Sequence, residues 1–297
     1  MKTLLLLVGL TSLAGALAKG ADWRATPRDL TVPEVLKAEP APGRRVIQTT
    51  AGWTGPDVHH VLHLPEDWRP DARHPVIIEY PGNGPYADAR GDTCDGSVEG
   101  CMLGYGISGG RGVVWASLPF IERTEGGLRN AAKWWGDVAE TKRYCQATVR
   151  DLCARFGGDP GRVFIAGFSR GAIACNFIGL HDDEISRLWR GFICHSHYDG
   201  SRPWPGDGGK SAVLERLRRL QGRPQWISQE LTTEATEKWL NSTGVKADWT
   251  WVAMPFPNHS SAWVLHDLAE RRRLREWFAR VAAGPAATSA NPGSVVK

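Results

Sequence analysis

Three side chains in this sequence have the types and the order needed to make and break an acyl bond. The first is Ser169, at the centre of Gly167-Phe168-Ser169-Arg170-Gly171. An apolar run, Arg162-Val163-Phe164-Ile165-Ala166, precedes it, and a helix-forming segment, Ala172 to Ile178, follows. A serine between glycines at a strand-to-helix turn is held exposed on a strained backbone. The glycines two before and two after it are needed because larger residues would clash in so tight a turn. A serine hydroxyl is a poor nucleophile alone. It needs a base, and the base needs an acid that fixes its tautomer.

If the serine turn is a nucleophile elbow with the chain order serine, acid, histidine, the base lies between the last strand and the last helix. That loop is Pro255-Phe256-Pro257-Asn258-His259-Ser260-Ser261, which assigns the role to His259. His266 is expected two turns into the following helix, facing solvent or packing. The acid should follow the strand ending near Ser228, which gives Glu230, or the preceding strand, which gives Asp199. Glu234 is a third option, placed on a helix surface. Glu230 leads, and Asp199 stays open.

The developing oxyanion needs two N–H donors. One is the backbone N–H of Arg170, just after the nucleophile; the other should come from Tyr80-Pro81-Gly82-Asn83-Gly84, with Asn83 as donor. Each donor is worth about 3 kcal/mol in the transition state. Gly82 and Gly84 let this backbone face the substrate. His195-Ser196-His197-Tyr198-Asp199-Gly200 follows another strand end. Open α/β sheets bind ligands at such ends. His197 and Asp199 are therefore candidate substrate contacts, a structural turn being the other reading.

These residues need a scaffold that brings strand ends together. Strands are expected at Arg45 to Thr50, Val58 to Leu64, His74 to Tyr80, Gly112 to Leu118, Arg162 to Ala166, Gly191 to His195, Pro224 to Ser228 and Trp249 to Met254. Helices are expected at Trp135 to Phe156, Ala172 to Ile178, Lys210 to Leu220, Thr233 to Leu240 and Ser261 to Val281. Pro81 to Arg111 reads as a long loop. The alternation predicts an α/β protein, a mainly parallel sheet of about eight strands covered on both faces, the two early strands making an antiparallel edge. There is no internal repeat and no linker to a second domain.

With the serine turn, the late histidine and the glycine loop, residues 45 to 283 resemble the α/β-hydrolase superfamily. The nearest type is the secreted esterases such as polyhydroxyalkanoate depolymerases and feruloyl esterases. The resemblance implies an α/β-hydrolase fold without a large cap domain, a serine esterase and no cofactor. Two features depart from the pattern: Pro81 stands where such enzymes carry a histidine, and no clear Gly-x-x-Asp follows the seventh strand.

The 297 residues carry a net charge of +4, 42% hydrophobic and 23% charged residues, ordinary for one large globular domain. The basic clusters at Arg216 to Arg219 and Arg271 to Arg273 lie on amphipathic helices, so nucleic acid is not an expected partner. Lys2, the apolar run Leu4 to Leu10 and Ala16-Leu17-Ala18 read as a signal peptide over 1–18, so a secreted or periplasmic protein is expected. No membrane-spanning run is expected. The catalytic domain is placed at 19–284, and an Ala/Pro/Ser-rich tail at 285–297 reads as disordered.

Export makes disulfides plausible for the six cysteines. Cys94 and Cys101 can pair locally. Cys145 and Cys153, eight residues apart on one helix, are separated by about 12 Å and cannot. Cys175 and Cys194 fit a free thiol or a bridge equally.

Other patterns are set aside. Gly104-Tyr105-Gly106-Ile107-Ser108-Gly109 mimics a dinucleotide loop, but a strand follows where a helix is required, so a mobile or binding loop is expected. Gly209-Lys210-Ser211 lacks the first glycine of a phosphate loop. His59, His60 and His63 do not share one face, so no metal site is expected. Of the 14 tryptophans, Trp53 and Trp204 fall in loops, where they could stack on a substrate. The expected partner is a small-molecule or polymer-linked ester; the oligomeric state is open. The competing readings are a serine peptidase on the same machinery and a hydrolase-like binding protein without turnover.

Overall fold

The computed structural model describes residues 22–53 and 57–284. The expected leader at 1–18 and tail at 285–297 lie outside the described residues.

Nine strands form the main sheet: β1 Val35–Leu36, β2 Arg45–Gln48, β3 His60–His63, β4 His74–Tyr80, β5 Val114–Ser117, β6 Gly158–Phe168, β7 Gly191–His195, β8 Gly222–Glu230 and β9 Ala247–Met254. Their spatial order is β1-β2-β3-β5-β4-β6-β7-β8-β9. Only the β2–β3 and β3–β5 pairings are antiparallel. The extra strand, β1, lies in the Pro-rich lead-in and adds two residues in parallel to β2.

Seven α-helices are formed among the described residues: α1 Leu103–Ser108, α2 Val138–Arg155, α3 Arg170–Phe177, α4 Asp183–Ser186, α5 Gly209–Arg218, α6 Glu234–Thr243 and α7 Ala269–Ala283. No cap domain is inserted among the described residues. The central strands read as continuous apolar runs because both faces are covered. Val76, Ile78 and Tyr80 enter one core with Tyr144, Val149 and Leu152 of α2. Ile77 enters the other core with Leu103, Trp277 and Phe278 from α1 and α7. This is the period-two alternation of a sheet sandwiched between helices.

Several expectations are corrected. The segment from Pro81 to Arg111 is not one loop: it holds a short hairpin, Tyr86–Ala87 with Thr93–Cys94, and helix α1. The Gly104–Gly109 pattern is that buried helix rather than a mobile loop. A Cβ on Gly104 would lie 2.2 Å from Trp115, and one on Gly106 would lie 2.3 Å from Val264. The last helix is broken into a 3₁₀ turn, Ala262–Leu265, and α7. His266 sits at the break, bridged to Arg28, with Nδ1 2.6 Å from the Thr26 carbonyl. All six cysteines are free, so the local Cys94–Cys101 bridge is not formed. Gly209-Lys210-Ser211 opens α5.

Candidate active site

Strand register decides which loops meet. Phe168 at the end of β6 pairs with His195 at the end of β7, and His195 pairs with Ser228 of β8. Glu230 in turn pairs with Met254 of β9. The residues just beyond these ends therefore share one edge of the sheet, although up to 90 residues separate them in sequence.

At that edge Ser169, His259 and Glu230 form one hydrogen-bonded chain. Ser169 Oγ lies 3.0 Å from His259 Nε2, and His259 Nδ1 lies 3.0 Å from Glu230 Oε1. Ser169 has φ 53° and ψ −116°, a conformation that L-residues rarely adopt. The flanking glycines make it possible. A Cβ on Gly167 would fall 2.1 Å from the Gly171 carbonyl carbon, and one on Gly171 would fall 2.0 Å from the Tyr80 carbonyl oxygen. Trp134, Ser196 and Leu231 also have positive φ, and all sit in loops around this edge. Four of the five non-glycine positive-φ residues among the described residues thus lie where the side chains must be aimed, Gln221 before β8 being the other.

Glu230 is mostly shielded from water. Burial would raise its pKa, but hydrogen bonds from His259 and Ser196 and the nearby His195 and His259 rings prevail and hold it at about 2. An ionised carboxylate facing Nδ1 keeps that proton in place and leaves Nε2 free to accept one from Ser169. Phe168 packs against the His259 ring at a centroid distance of 4.7 Å, and Tyr86 meets it edge-on at 5.3 Å.

Two residues that line the pocket with the serine, Arg170 and Asn83, carry backbone N–H groups without a protein acceptor among the described residues. Arg170 is the first residue of α3, so its N–H has no acceptor within the helix. The Asn83 N–H donates to no protein acceptor among the described residues. The Asn83 side chain accepts from the Trp134 N–H at 2.8 Å, which ties this loop to the next. The Arg170 guanidinium is buried on the Phe120 ring and donates to the carbonyls of Pro81, Ala131, Trp134 and Gly96. One side chain thus pins three loops around the serine.

The remaining expected residues divide. His197 lines the pocket, its Nδ1 3.4 Å from Ser169 Oγ and its Nε2 3.2 Å from Arg202. Burial, the neighbouring His259 ring, the Arg202 guanidinium and the His195 ring hold it neutral, with a pKa of about 3, against the pull of Glu230. Asp199 is not at the pocket. It is fully buried in a two-pronged pair with Arg216, at 2.7 and 3.1 Å, and both its oxygens are occupied there. Gly82 lines the neighbouring cavity. Gly84 does not face a substrate: its N–H donates to the Ala132 carbonyl, and a Cβ there would overlap the Asp95 backbone at 1.8 Å. Trp204 lines the pocket, whereas Trp53 donates to Glu140 and packs on Tyr144 far from it. His59 pairs with Glu99, and His60 with Tyr144.

Sequence reasoning missed Asp92. Its carboxylate is fully buried and accepts from the His259 backbone N–H at 3.0 Å, from the Asn258 amide at 3.3 Å and from Arg24. It fixes the backbone that carries His259. No local pattern marks it, because its partners lie 68 to 167 positions away.

The pocket at the serine has a volume of about 180 Å³ and is walled by Trp134, Ile173, His197 and Trp204. A cavity of about 560 Å³ lies beside it, sharing Tyr86, Cys94 and Phe168. Together these features set a hydroxyl at the mouth of a pocket and can move its proton through an imidazole.

No protein-family model matches the chain, and no curated protein matches it. Solved structures do resemble it. A Bacteroides ovatus protein assigned as a dipeptidyl aminopeptidase IV is 14% identical, with a TM-score of 0.53 over 80% of this chain and 35% of its own. This chain thus spans about a third of that protein. Thermogutta terrifontis esterase 2, phosphonylated by cyclosarin, is 16% identical, with a TM-score of 0.51 over 79% of this chain and 93% of its own. An esterase from the fungus Rhizomucor miehei is 14% identical, with a TM-score of 0.50 over 80% of this chain and 82% of its own. At such identities the likeness is one of fold: the chain has the α/β-hydrolase fold.

Proposed function

We propose that the protein is a serine hydrolase that cleaves carboxylic esters through an acyl-enzyme. The observation that carries this reading is the unbroken chain from Ser169 through His259 to Glu230, opening on a pocket that Asn83 and Arg170 also line. His259 Nε2 takes the Ser169 proton as Oγ attacks the ester carbonyl. The carbonyl oxygen becomes an anion held by the Arg170 and Asn83 N–H groups. The C–O bond to the alcohol breaks, and His259 hands its proton to the leaving oxygen. Water then enters, gives a proton to His259 and attacks the acyl carbonyl. The acid is released, and the proton returns to Ser169.

Glu230 within hydrogen-bond reach of His259 favours turnover over a non-catalytic binding role. The small pocket walled by Trp134 and Trp204 favours a short or aromatic acyl group, compatible with the secreted esterase type that the sequence resembles. Export rests on the leader pattern at 1–18. A peptidase would use the same machinery, and one structural neighbour is assigned as an aminopeptidase. The reading is tested by ester and peptide hydrolysis with the wild type, Ser169→Ala and His259→Ala. Ester turnover by the wild type alone is expected. Peptide turnover without ester turnover would overturn the esterase reading. Equal rates in all three proteins would overturn the serine mechanism.

A further inference from the structure

The pocket beside Ser169 has a charge pattern that ester hydrolysis does not require. No aspartate or glutamate lines it, yet two arginines do, Arg170 and Arg202. The Arg170 guanidinium is spent on four backbone carbonyls. Arg202 is different. It is exposed, its guanidinium lies over the Trp204 ring at 4.2 Å, and its one polar contact among the described residues is to His197 Nε2.

That contact fixes both partners. Arg202 can only donate, so His197 Nε2 accepts and the ring proton sits on Nδ1, facing Ser169 Oγ. His197 is held between Trp204 and His259, each at a centroid distance of 5.0 Å. The loop behind them is anchored in turn. Trp204 donates its ring N–H to the Tyr198 carbonyl and its backbone N–H to Asp207, and Trp135 donates to the Pro205 carbonyl. A guanidinium is thereby set one imidazole ring away from the nucleophile, with its remaining donors available. The Asn83 side-chain NH₂, which also makes no hydrogen bond among the described residues, adds a neutral donor at the same wall.

We infer that Arg202 is a specificity residue that selects esters bearing a carboxylate, seated between Arg202 and the Trp134–Trp204 walls. This rests on the esterase reading and narrows its substrate class. The guanidinium fork suits a carboxylate, and the aromatic walls suit a short spacer between that anion and the reacting carbonyl. The carboxylate belongs to the acyl or the alcohol part of the ester, and the two are separable by experiment.

The test compares kcat/KM for monoethyl glutarate against ethyl pentanoate, and for 3-acetoxypropanoate against propyl acetate, in the wild type, Arg202→Gln and Arg202→Lys. Glutamine removes the charge but can still donate to His197; lysine keeps the charge without the fork. We expect Arg202→Gln to lose about 5- to 20-fold on one charged ester, the range of a hydrogen bond to a charged group discounted for the exposure of Arg202. The loss should fall mainly in KM, lysine should restore part of it, and neutral esters should change less than about 3-fold. The pair that responds identifies the anionic arm. Turnover of neutral and charged esters with equal loss, or no loss, in Arg202→Gln would overturn the inference and leave the esterase reading intact. Calorimetric titration of Ser169→Ala with monoethyl glutarate and with 3-acetoxypropanoate reads anion binding without turnover. Binding of either that Arg202→Gln abolishes would uphold the inference even if the wild type hydrolysed no ester. Binding of neither, or binding that Arg202→Gln leaves unchanged, would overturn it.

Discussion

The residues of the candidate site differ in how far their partners lie along the chain, and that difference governs what can be read from sequence. Ser169 and His259 each follow a strand and Glu230 closes one, in a fixed order, and the glycines flanking the serine record the tightness of its turn. Asp199 also follows a strand. Only the fold shows that Arg216 occupies it. Asp92 was illegible because its carboxylate serves a backbone N–H from the far end of the chain. Two outcomes follow. Asp92→Asn should lower kcat by about 10- to 100-fold with KM little changed, because the His259 loop loses its charged acceptor and the imidazole drifts from Ser169. Steady-state kinetics on a neutral ester checks this. Glu230→Gln should lower stability in a pH-dependent way. The wild-type carboxyl is held at about 2 against an ordinary value of 4.5. Its contribution is therefore complete above pH 4.5 and fades as pH falls towards 2. The melting-temperature difference between wild type and variant should be full at pH 7 and small near pH 2; a constant difference would contradict the assignment.

Among the elements, the long strands and α2 follow from periodicity, while α1 does not. Two glycines in Leu103-Gly104-Tyr105-Gly106-Ile107-Ser108 weaken any local helical tendency. The helix forms because distant groups supply what local sequence lacks. Glu79, buried on β4, accepts the N–H groups of Met102, Leu103 and Gly104 at 3.0, 3.0 and 2.9 Å, satisfying the helix start. The glycines let α1 lie directly on Trp115 and Val264. Gly104→Ala sets two effects against each other. Alanine is the better helix former by about 1 kcal/mol, but its Cβ would fall 2.2 Å from the Trp115 ring. Overpacking of this kind costs about 1–3 kcal/mol and should win. Denaturant unfolding should show a lower midpoint, and a raised midpoint would mean that α1 is not seated on Trp115. The break before α7 has a similar origin: His266 is drawn into a bridge with Arg28 rather than into a helix.

For the molecule as a whole, strand and helix alternation was enough to foresee a mainly parallel sheet covered on both faces. It could not foresee that the lead-in would staple the edge that carries Ser169 and His259. Trp23 is buried against the His266 ring, Asp29 pairs with Arg271 on α7, and Arg24 reaches Asp92 beneath the His259 loop. The segment thus links the end of the chain to the site. Trp23→Ala should cost about 3 kcal/mol of stability, as loss of a buried tryptophan does, and should weaken activity as the Arg24–Asp92 contact loosens. Thermal unfolding and ester kinetics on the same preparation check both effects. The central claim is that this arrangement activates one particular serine. It is tested most directly by treating the folded wild type, Ser169→Ala and His259→Ala with a fluorophosphonate probe and locating the adduct by peptide mass spectrometry. A single adduct on Ser169 is expected in the wild type, and none in either variant. A folded wild type that stays unlabelled, or labels at another residue, would contradict it.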